Sequence, residues 1–256
     1  MPRARIVVPG VPHHVTQRGN NRQDVFFVDD DRRVYLGLLA EQSRRFGLSV
    51  VCYCLMTNHV HLVVIPKHVD SLAKGIGRTN LLYSQYIGRL HRRTGHLWQN
   101  RFFSCSLDDE HLVHACCYVE RNPLRARMVR LPWRYPWSSA ATHVTAVRGR
   151  GRGAIQAHDG ELLDLSWWRQ RFRPAEWKRM LQRPQDAQMV RTLRSRTHTG
   201  RPLGSDSFVS KLERALGRRL RALPVGRPKK KTTKKKVRKK RTTKRPSNRL
   251  RGTRLR

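Results

Sequence analysis

The chain has 256 residues, with 55 Lys plus Arg against 17 Asp plus Glu and a formal net charge of +38. That excess makes a polyanion the expected partner, nucleic acid ahead of an acidic membrane surface, because cationic side chains that meet phosphates release counterions and dominate affinity. No apolar run approaches the roughly 18 residues needed to span a bilayer, and the start Met1-Pro2-Arg3-Ala4-Arg5 lacks a signal peptide's apolar core, so the expectation is a soluble, cytoplasmic, nucleoid-associated protein with no membrane partner.

In chain order, His13-His14-Val15-Thr16-Gln17 reads as a short strand entered from the turn Pro9-Gly10. Asp29-Asp30-Asp31 opens a helix with Val34, Leu38 and Leu39 on its apolar stripe, and Gly47 ends it. Leu48 to Met56 and His59 to Ile65 are two strands joined by Thr57-Asn58, an antiparallel hairpin closed by Pro66. A helix from about 69 to 92 follows, then a turn at Thr94-Gly95 and a mixed, strand-like segment from His96 to Leu107. Asp108-Asp109-Glu110 supplies acids to the start of a further helix, as the helix dipole prefers, running to about Asn122, where Pro123 stops it. This order predicts an α+β fold, a ferredoxin-like antiparallel sheet with helices on one face. The 5 cysteines, Cys52, Cys54, Cys105, Cys116 and Cys117, lie in apolar segments without a C-x-x-C, and are expected to be free and buried.

The first unit is expected to end near 145, because glycine and charge in Arg148-Gly149-Arg150-Gly151-Arg152-Gly153 rule out regular structure and make 146–153 a linker. Residues 154–223 contain Trp167, Trp168 and Trp177, and Phe208, Leu212 and Leu216 at helical spacing; they read as a small helical C-terminal extension that packs on the core or touches DNA. Residues 224–256 hold 17 Lys or Arg and no acid. Such a segment cannot bury enough apolar surface to fold, so it is read as a disordered basic tail.

The chemistry centres on His59-Val60-His61 within an apolar run. In a strand the two imidazoles share one face, about 6 to 7 Å apart at Cα, with Val60 on the other. Neutral imidazole ligates divalent cations, and burying two unpaired rings costs desolvation energy. Two core histidines satisfied by carbonyls are the structural alternative. Tyr118 and Asn122, four residues apart, project from one helical face. Were that helix to cross the sheet, His59, His61 and the Asn122 oxygen would form an open metal site and Tyr118 a nucleophile. Singly, Tyr118 reads as a packing residue and Asn122 as a helix-terminal one.

Three segments in order, Asn58-His59-Val60-His61-Leu62-Val63, Trp98-Gln99-Asn100-Arg101-Phe102 and Tyr118-Val119-Glu120-Arg121-Asn122-Pro123-Leu124-Arg125-Ala126, resemble the HUH single-tyrosine transposases of the insertion-sequence-200 group, and within it the REP-associated branch. His13 to Asn20 and Trp137-Ser138-Ser139 support the likeness over about 8–142, and Gly200-Arg201-Pro202-Leu203-Gly204-Ser205 resembles that branch's C-terminal extension. The resemblance implies an HUH nuclease core that cleaves and rejoins single-stranded DNA beside hairpins. Tyr118 would attack the phosphate to leave a 5′-phosphotyrosyl link, and His59, His61 and Asn122 would hold Mg²⁺ or Mn²⁺. A phosphotyrosine ester conserves the bond energy for rejoining, so no nucleotide is needed, and no phosphate-cradling G-x-x-x-x-G-K-[ST] occurs. A monomer and a homodimer are both compatible with it.

For DNA contact the candidates are Arg18, Arg22, Arg78 and Arg101, with Arg89, Arg92 and Arg93 further along, since guanidinium pairs bidentately with phosphate or guanine. Trp98, Phe102 and Phe103 are candidates to stack on bases, with core packing as the alternative. Two rival readings stand beside the nuclease. One is a catalytically idle, sequence- or hairpin-specific DNA-binding protein, which would not need the four site residues. The other is a phosphoesterase with paired His-x-Thr motifs, His14-Val15-Thr16 and His143-Val144-Thr145, the second of which lacks a strand around it.

Overall fold

The computed structural model describes residues 5–145 and 159–222; the Gly/Arg run and the basic tail lie outside the described residues. The first half follows the order β1 (His13–Arg18), α1 (Asp29–Phe46), β2 (Leu48–Leu55), β3 (His59–Pro66), α2 (Ser71–Leu90), β4 (Phe103–Ser106). The strands pair antiparallel throughout in the order β2-β3-β1-β4. This is the split βαβ arrangement of a ferredoxin-like sheet. After it come α3 (Asp109–Glu120), α4 (Asn122–Arg125), α5 (Ala140–Thr145), α6 (Asp159–Leu162), α7 (Ser166–Arg171), α8 (Pro174–Gln182), α9 (Ala187–Thr199) and α10 (Asp206–Leu216).

Local chemistry explains most boundaries. The Asp31 carboxylate accepts the N–H groups of Phe27 (2.7 Å) and Val28 (3.0 Å), closing the open end of α1. Gly47 ends that helix at φ +64°, a left-handed conformation that glycine adopts without a Cβ penalty. Met56 N–H donates to the His59 carbonyl at 2.9 Å across Thr57-Asn58, so the hairpin is as tight as its sequence suggests. Asp108 caps α3 by accepting the His111 N–H at 3.0 Å.

Two boundaries differ from the expectation. Within His96 to Leu107 only Phe103–Ser106 forms a strand. The residues before it turn to make a bridge between Trp98 and Gly19, because the Trp98 indole is drawn into an aromatic cluster with Tyr35 and Tyr83. The helix carrying Tyr118 ends at Glu120, and Pro123 does not stop it but sits in the first turn of α4, where its missing N–H breaks no helical bond.

Strand register sorts the sheet's side chains. His14 pairs with Val63 and Cys105, Thr16 with His61 and Phe103, Arg18 with His59, and Cys54 with His61, so all of these occupy one face. Val15, Val60, Leu62 and Tyr53 occupy the other. That second face is covered by α1 and α2. Gly75 of α2 lies so close to β2 that a Cβ there would stand 2.3 Å from Leu48 Cδ1. The histidine face is covered by α3, which packs on β1, β2 and β3, and by α9, which packs on β1 and β4. Tyr35, Leu36, Leu39, Leu55, Leu62, Leu72 and Ile76 are fully buried between these layers.

Residues 5–145 and 159–221 belong to one compact unit. The later segment guards both sheet edges: Asp164 N–H donates to the Val50 carbonyl beside β2, and Leu203 N–H to the Ser106 carbonyl beside β4, both at 2.8 Å. A buried polar cluster ties α8 and α5 to α3. The Glu120 carboxylate, fully buried, accepts Ser139 Oγ at 2.6 Å, Trp177 Nε1 at 2.8 Å and the His143 ring. All five cysteines are free and buried. Among the described residues no helix is long and apolar enough to cross a membrane.

Candidate active site

The histidine face and the tyrosine helix meet. The His61 ring lies edge-on to Tyr118 with centroids 5.4 Å apart, and His59 stands 5.0 Å from His61 on the same face. Tyr118 is 3% exposed. Its hydroxyl is the acceptor for Arg194 Nε of α9 at 3.1 Å, and the Arg125 guanidinium covers its ring at 4.3 Å.

His59 and His61 are uncharged at neutral pH. Burial, with the charges of Arg18, Arg125 and Arg194, lowers His59 to about 4. Burial foremost, then the neighbouring His59 and His14, places His61 well below its usual value. Neutral imidazole is the ligating form, and the hydrogen bonds decide which nitrogen is bare. Asn58 Nδ2 donates to the Arg22 carbonyl at 2.9 Å, which leaves Asn58 Oδ1 to accept from His59 Nδ1 at 2.6 Å. His59 therefore carries its proton on Nδ1 and its lone pair on Nε2. His61 Nδ1 is likewise engaged, by His14 Nε2 at 3.1 Å.

The hydrogen bonds of Asn122 go to its own helix end. Its Nδ2 donates to the carbonyls of Tyr118 (3.1 Å) and Val119 (3.3 Å), and its Oδ1 accepts from Arg125 Nη2. The side chain thus closes the end of α3. Among the described residues no three His, Cys, Asp or Glu side chains gather as a metal-holding group. The donor set fits a divalent cation bound by two imidazole nitrogens, with the remaining positions left to oxygen ligands from outside that set. Three nearby guanidinium groups oppose an isolated cation there and favour a phosphate alongside it.

The DNA-contact candidates divide. Arg18 is exposed at the strand position opposite His59, and exposed Arg22 adjoins the turn before His59 through its carbonyl's bond to Asn58. Arg101 is exposed near Arg5, whose guanidinium stacks on Phe102 at 3.6 Å. Arg78 is exposed on α2, in the helical layer of the opposite face. Trp98 is committed to packing: its indole N–H donates to the Asn80 carbonyl at 3.1 Å. Phe103 stacks on His198 of α9 with centroids 4.9 Å apart.

Sequence reasoning missed four residues of the site: His14, Arg125, Arg194 and Thr197. His14 belonged to a recognised segment, and the strand pairing that sets it beside His61 would have singled it out. Arg125 is seven residues past Tyr118 in a recognised segment, but on α4, beyond the break that follows Glu120. Nothing in the local sequence links Arg194 or Thr197 to residues 76 and 183 positions away.

The site is thus a histidine pair on a four-stranded antiparallel sheet beneath a tyrosine-bearing helix. A solved REP-associated tyrosine transposase, itself bound to a REP hairpin, superimposes with a TM-score of 0.50 at 16% identity, over 61% of this chain and 90% of that one. Residues 8–122 match the family of IS200-like transposases, a span that holds His59, His61 and Tyr118 and ends on Asn122. A candidate transposase from Deinococcus radiodurans R1 also matches, at 21% identity over 47% of this chain and 97% of that one, with a TM-score of 0.34. No curated protein matches the chain.

Proposed function

We propose that the protein cleaves and rejoins single-stranded DNA beside hairpins through a transient bond between Tyr118 and DNA. The observation that carries this reading is the meeting of Tyr118 with the histidine pair under two guanidinium groups. In the forward step Tyr118 Oη gives up its proton to solvent and bonds to phosphorus, the bond from phosphorus to O3′ breaks, and the leaving oxygen takes up a proton from solvent as a free 3′-hydroxyl. The 5′ phosphate stays on Tyr118, and attack by a 3′-hydroxyl reverses the exchange with no outside energy source. Arg194 and Arg125 supply donors for the non-bridging phosphate oxygens as charge gathers on them. His59 and His61 would hold Mg²⁺ or Mn²⁺, with Asn122 as the third candidate ligand. A cation so held would polarise the phosphate.

Single-stranded or hairpin DNA is the partner this chemistry requires, with exposed Arg18, Arg22 and Arg101 as the candidates to meet its backbone. A labelled hairpin-bearing oligonucleotide incubated with the protein and Mn²⁺ yields a denaturation-resistant adduct, which Tyr118→Phe abolishes while DNA binding persists. An adduct formed as readily by Tyr118→Phe as by the parent protein would remove Tyr118 from the reaction. The idle DNA-binding reading predicts binding without any adduct in either protein.

A further inference from the structure

Beneath the histidine pair runs a chain of hydrogen bonds that begins outside the matched region. Thr197 of α9 places its Oγ1 2.8 Å from the Leu193 carbonyl, 2.7 Å from His14 Nδ1 and 3.2 Å from Cys105 Sγ. His14 Nε2 in turn lies 3.1 Å from His61 Nδ1. Thr197, His14 and Cys105 are all buried, so water does not satisfy them.

The protons in this chain have one consistent placement. A hydroxyl has one proton and two lone pairs, and a neutral imidazole has one N–H and one bare nitrogen. The Leu193 contact joins two oxygens, of which the carbonyl only accepts, so it is attractive only when the Thr197 proton lies in it. The two remaining Thr197 lone pairs then accept His14 Nδ1–H and the Cys105 S–H. The His14 ring is buried against Thr197, His61 and Tyr118, none of them a carboxylate, and is read with a single ring proton. With its proton on Nδ1, His14 offers a bare Nε2, which accepts from His61 Nδ1–H. Any other placement of the hydroxyl proton leaves the short Leu193 contact without a hydrogen.

The structure assigns Thr197 and His14 as positioning residues that hold the proton of His61 on Nδ1 and so present its Nε2 lone pair for ligation. Helix α9, outside the region that matches the family, thereby completes the site of residues 8–122 from below. Buried partners of this kind fix ring orientation and tautomer, and their loss costs about 10- to 100-fold in metal affinity. The consequence for metal rests on the function proposed above; the tautomer itself does not.

Two-bond ¹H–¹⁵N correlation on the full chain with ¹⁵N-labelled histidine, free of metal and DNA, reads the tautomers directly, His61 being assigned by the signal that disappears in His61→Gln. His61 and His14 are expected with protonated Nδ1 and bare Nε2; a His61 protonated on Nε2 overturns the proposal, whatever any variant does. Thr197→Val is expected to convert His61 to a mixture of tautomers and to weaken Mn²⁺ binding, followed by the electron-spin signal of the free ion, about tenfold, with Thr197→Ser restoring both. Parent-like His61 signals in a folded Thr197→Val protein also overturn it. If the parent protein shows the expected tautomers yet takes up no Mn²⁺ with or without DNA, the relay stands and the metal reading above falls.

Discussion

Arg194 Nε and Tyr118 Oη, 3.1 Å apart, join a helix of the C-terminal segment to the proposed nucleophile. The bond puts a positive charge from outside residues 8–122 at the oxygen proposed to attack. Arg194→Ala removes a charge-assisted hydrogen bond worth about 1.5–3 kcal/mol. Adduct formation by the variant is therefore expected to slow by about 10- to 100-fold. Arg194→Lys keeps the charge but loses the planar donor and is expected to recover only part of the rate. A rate for Arg194→Ala within twofold of the parent would show that this guanidinium serves packing only.

The buried histidines make stability depend on pH in a definite direction. Burial lowers His13 and His59 to about 4 and His14 to about 3, and lowers His61 further below the ordinary value. Each is depressed in the fold, so the unfolded chain binds protons first as pH falls. Stability is thus complete above about pH 6.5 and drains away between there and pH 4, by up to about 1.4 kcal/mol per pH unit for each histidine. Thermal unfolding at pH 7, 6, 5 and 4 checks this. A melting temperature level down to pH 4.5 would mean that these rings take up protons inside the folded protein.

Glu120 makes the joint between α3 and α8 sensitive to single atoms. Trp177→Phe keeps most of the buried ring but deletes the Nε1–H that the carboxylate accepts at 2.8 Å. Leaving that oxygen short of a donor is expected to cost about 1–3 kcal/mol in urea unfolding. Because Trp177 touches neither Tyr118 nor the histidine pair, the adduct rate at low temperature should stay near the parent's. A loss below 0.5 kcal/mol would show the cluster to be readily rearranged.

Deletion of 224–256 removes 17 basic residues and no acidic one. Affinity for single-stranded DNA is expected to fall and the salt dependence to flatten, by about 0.7 in the logarithmic slope for each phosphate that the shortened chain leaves unneutralised. Fluorescence anisotropy across a range of salt measures both, and an unchanged slope would exclude the tail from DNA binding.

Much of the architecture was legible in local patterns. Alternation in Leu48 to Ile65, the acids before α1 and α3, and Gly47 at the end of α1 each act over a few residues, so the hairpin and the flanking helices could be read directly. The failures occurred where a distant partner overrode local preference. Trp98 and Phe103 lie in one alternating stretch, yet the Trp98 indole leaves the strand for Tyr35, Tyr83 and the Asn80 carbonyl. Helical spacing put Asn122 on the face of Tyr118, but the backbone breaks after Glu120 and Asn122 spends both ends of its amide on the helix terminus and Arg125.

The sequence by itself determined the ferredoxin-like order of elements, made a polyanion the expected partner, and singled out the histidine pair and tyrosine as candidates, because charge, period and spacing are properties of neighbouring residues. Only the tertiary structure decided which nitrogen of each histidine is bare, that His14 backs His61, and that Arg194 reaches Tyr118. Those facts depend on strand register and on hydrogen bonds closed across 47, 76 and 183 positions of chain. Proton positions in a buried network follow from which donors and acceptors the whole fold brings together.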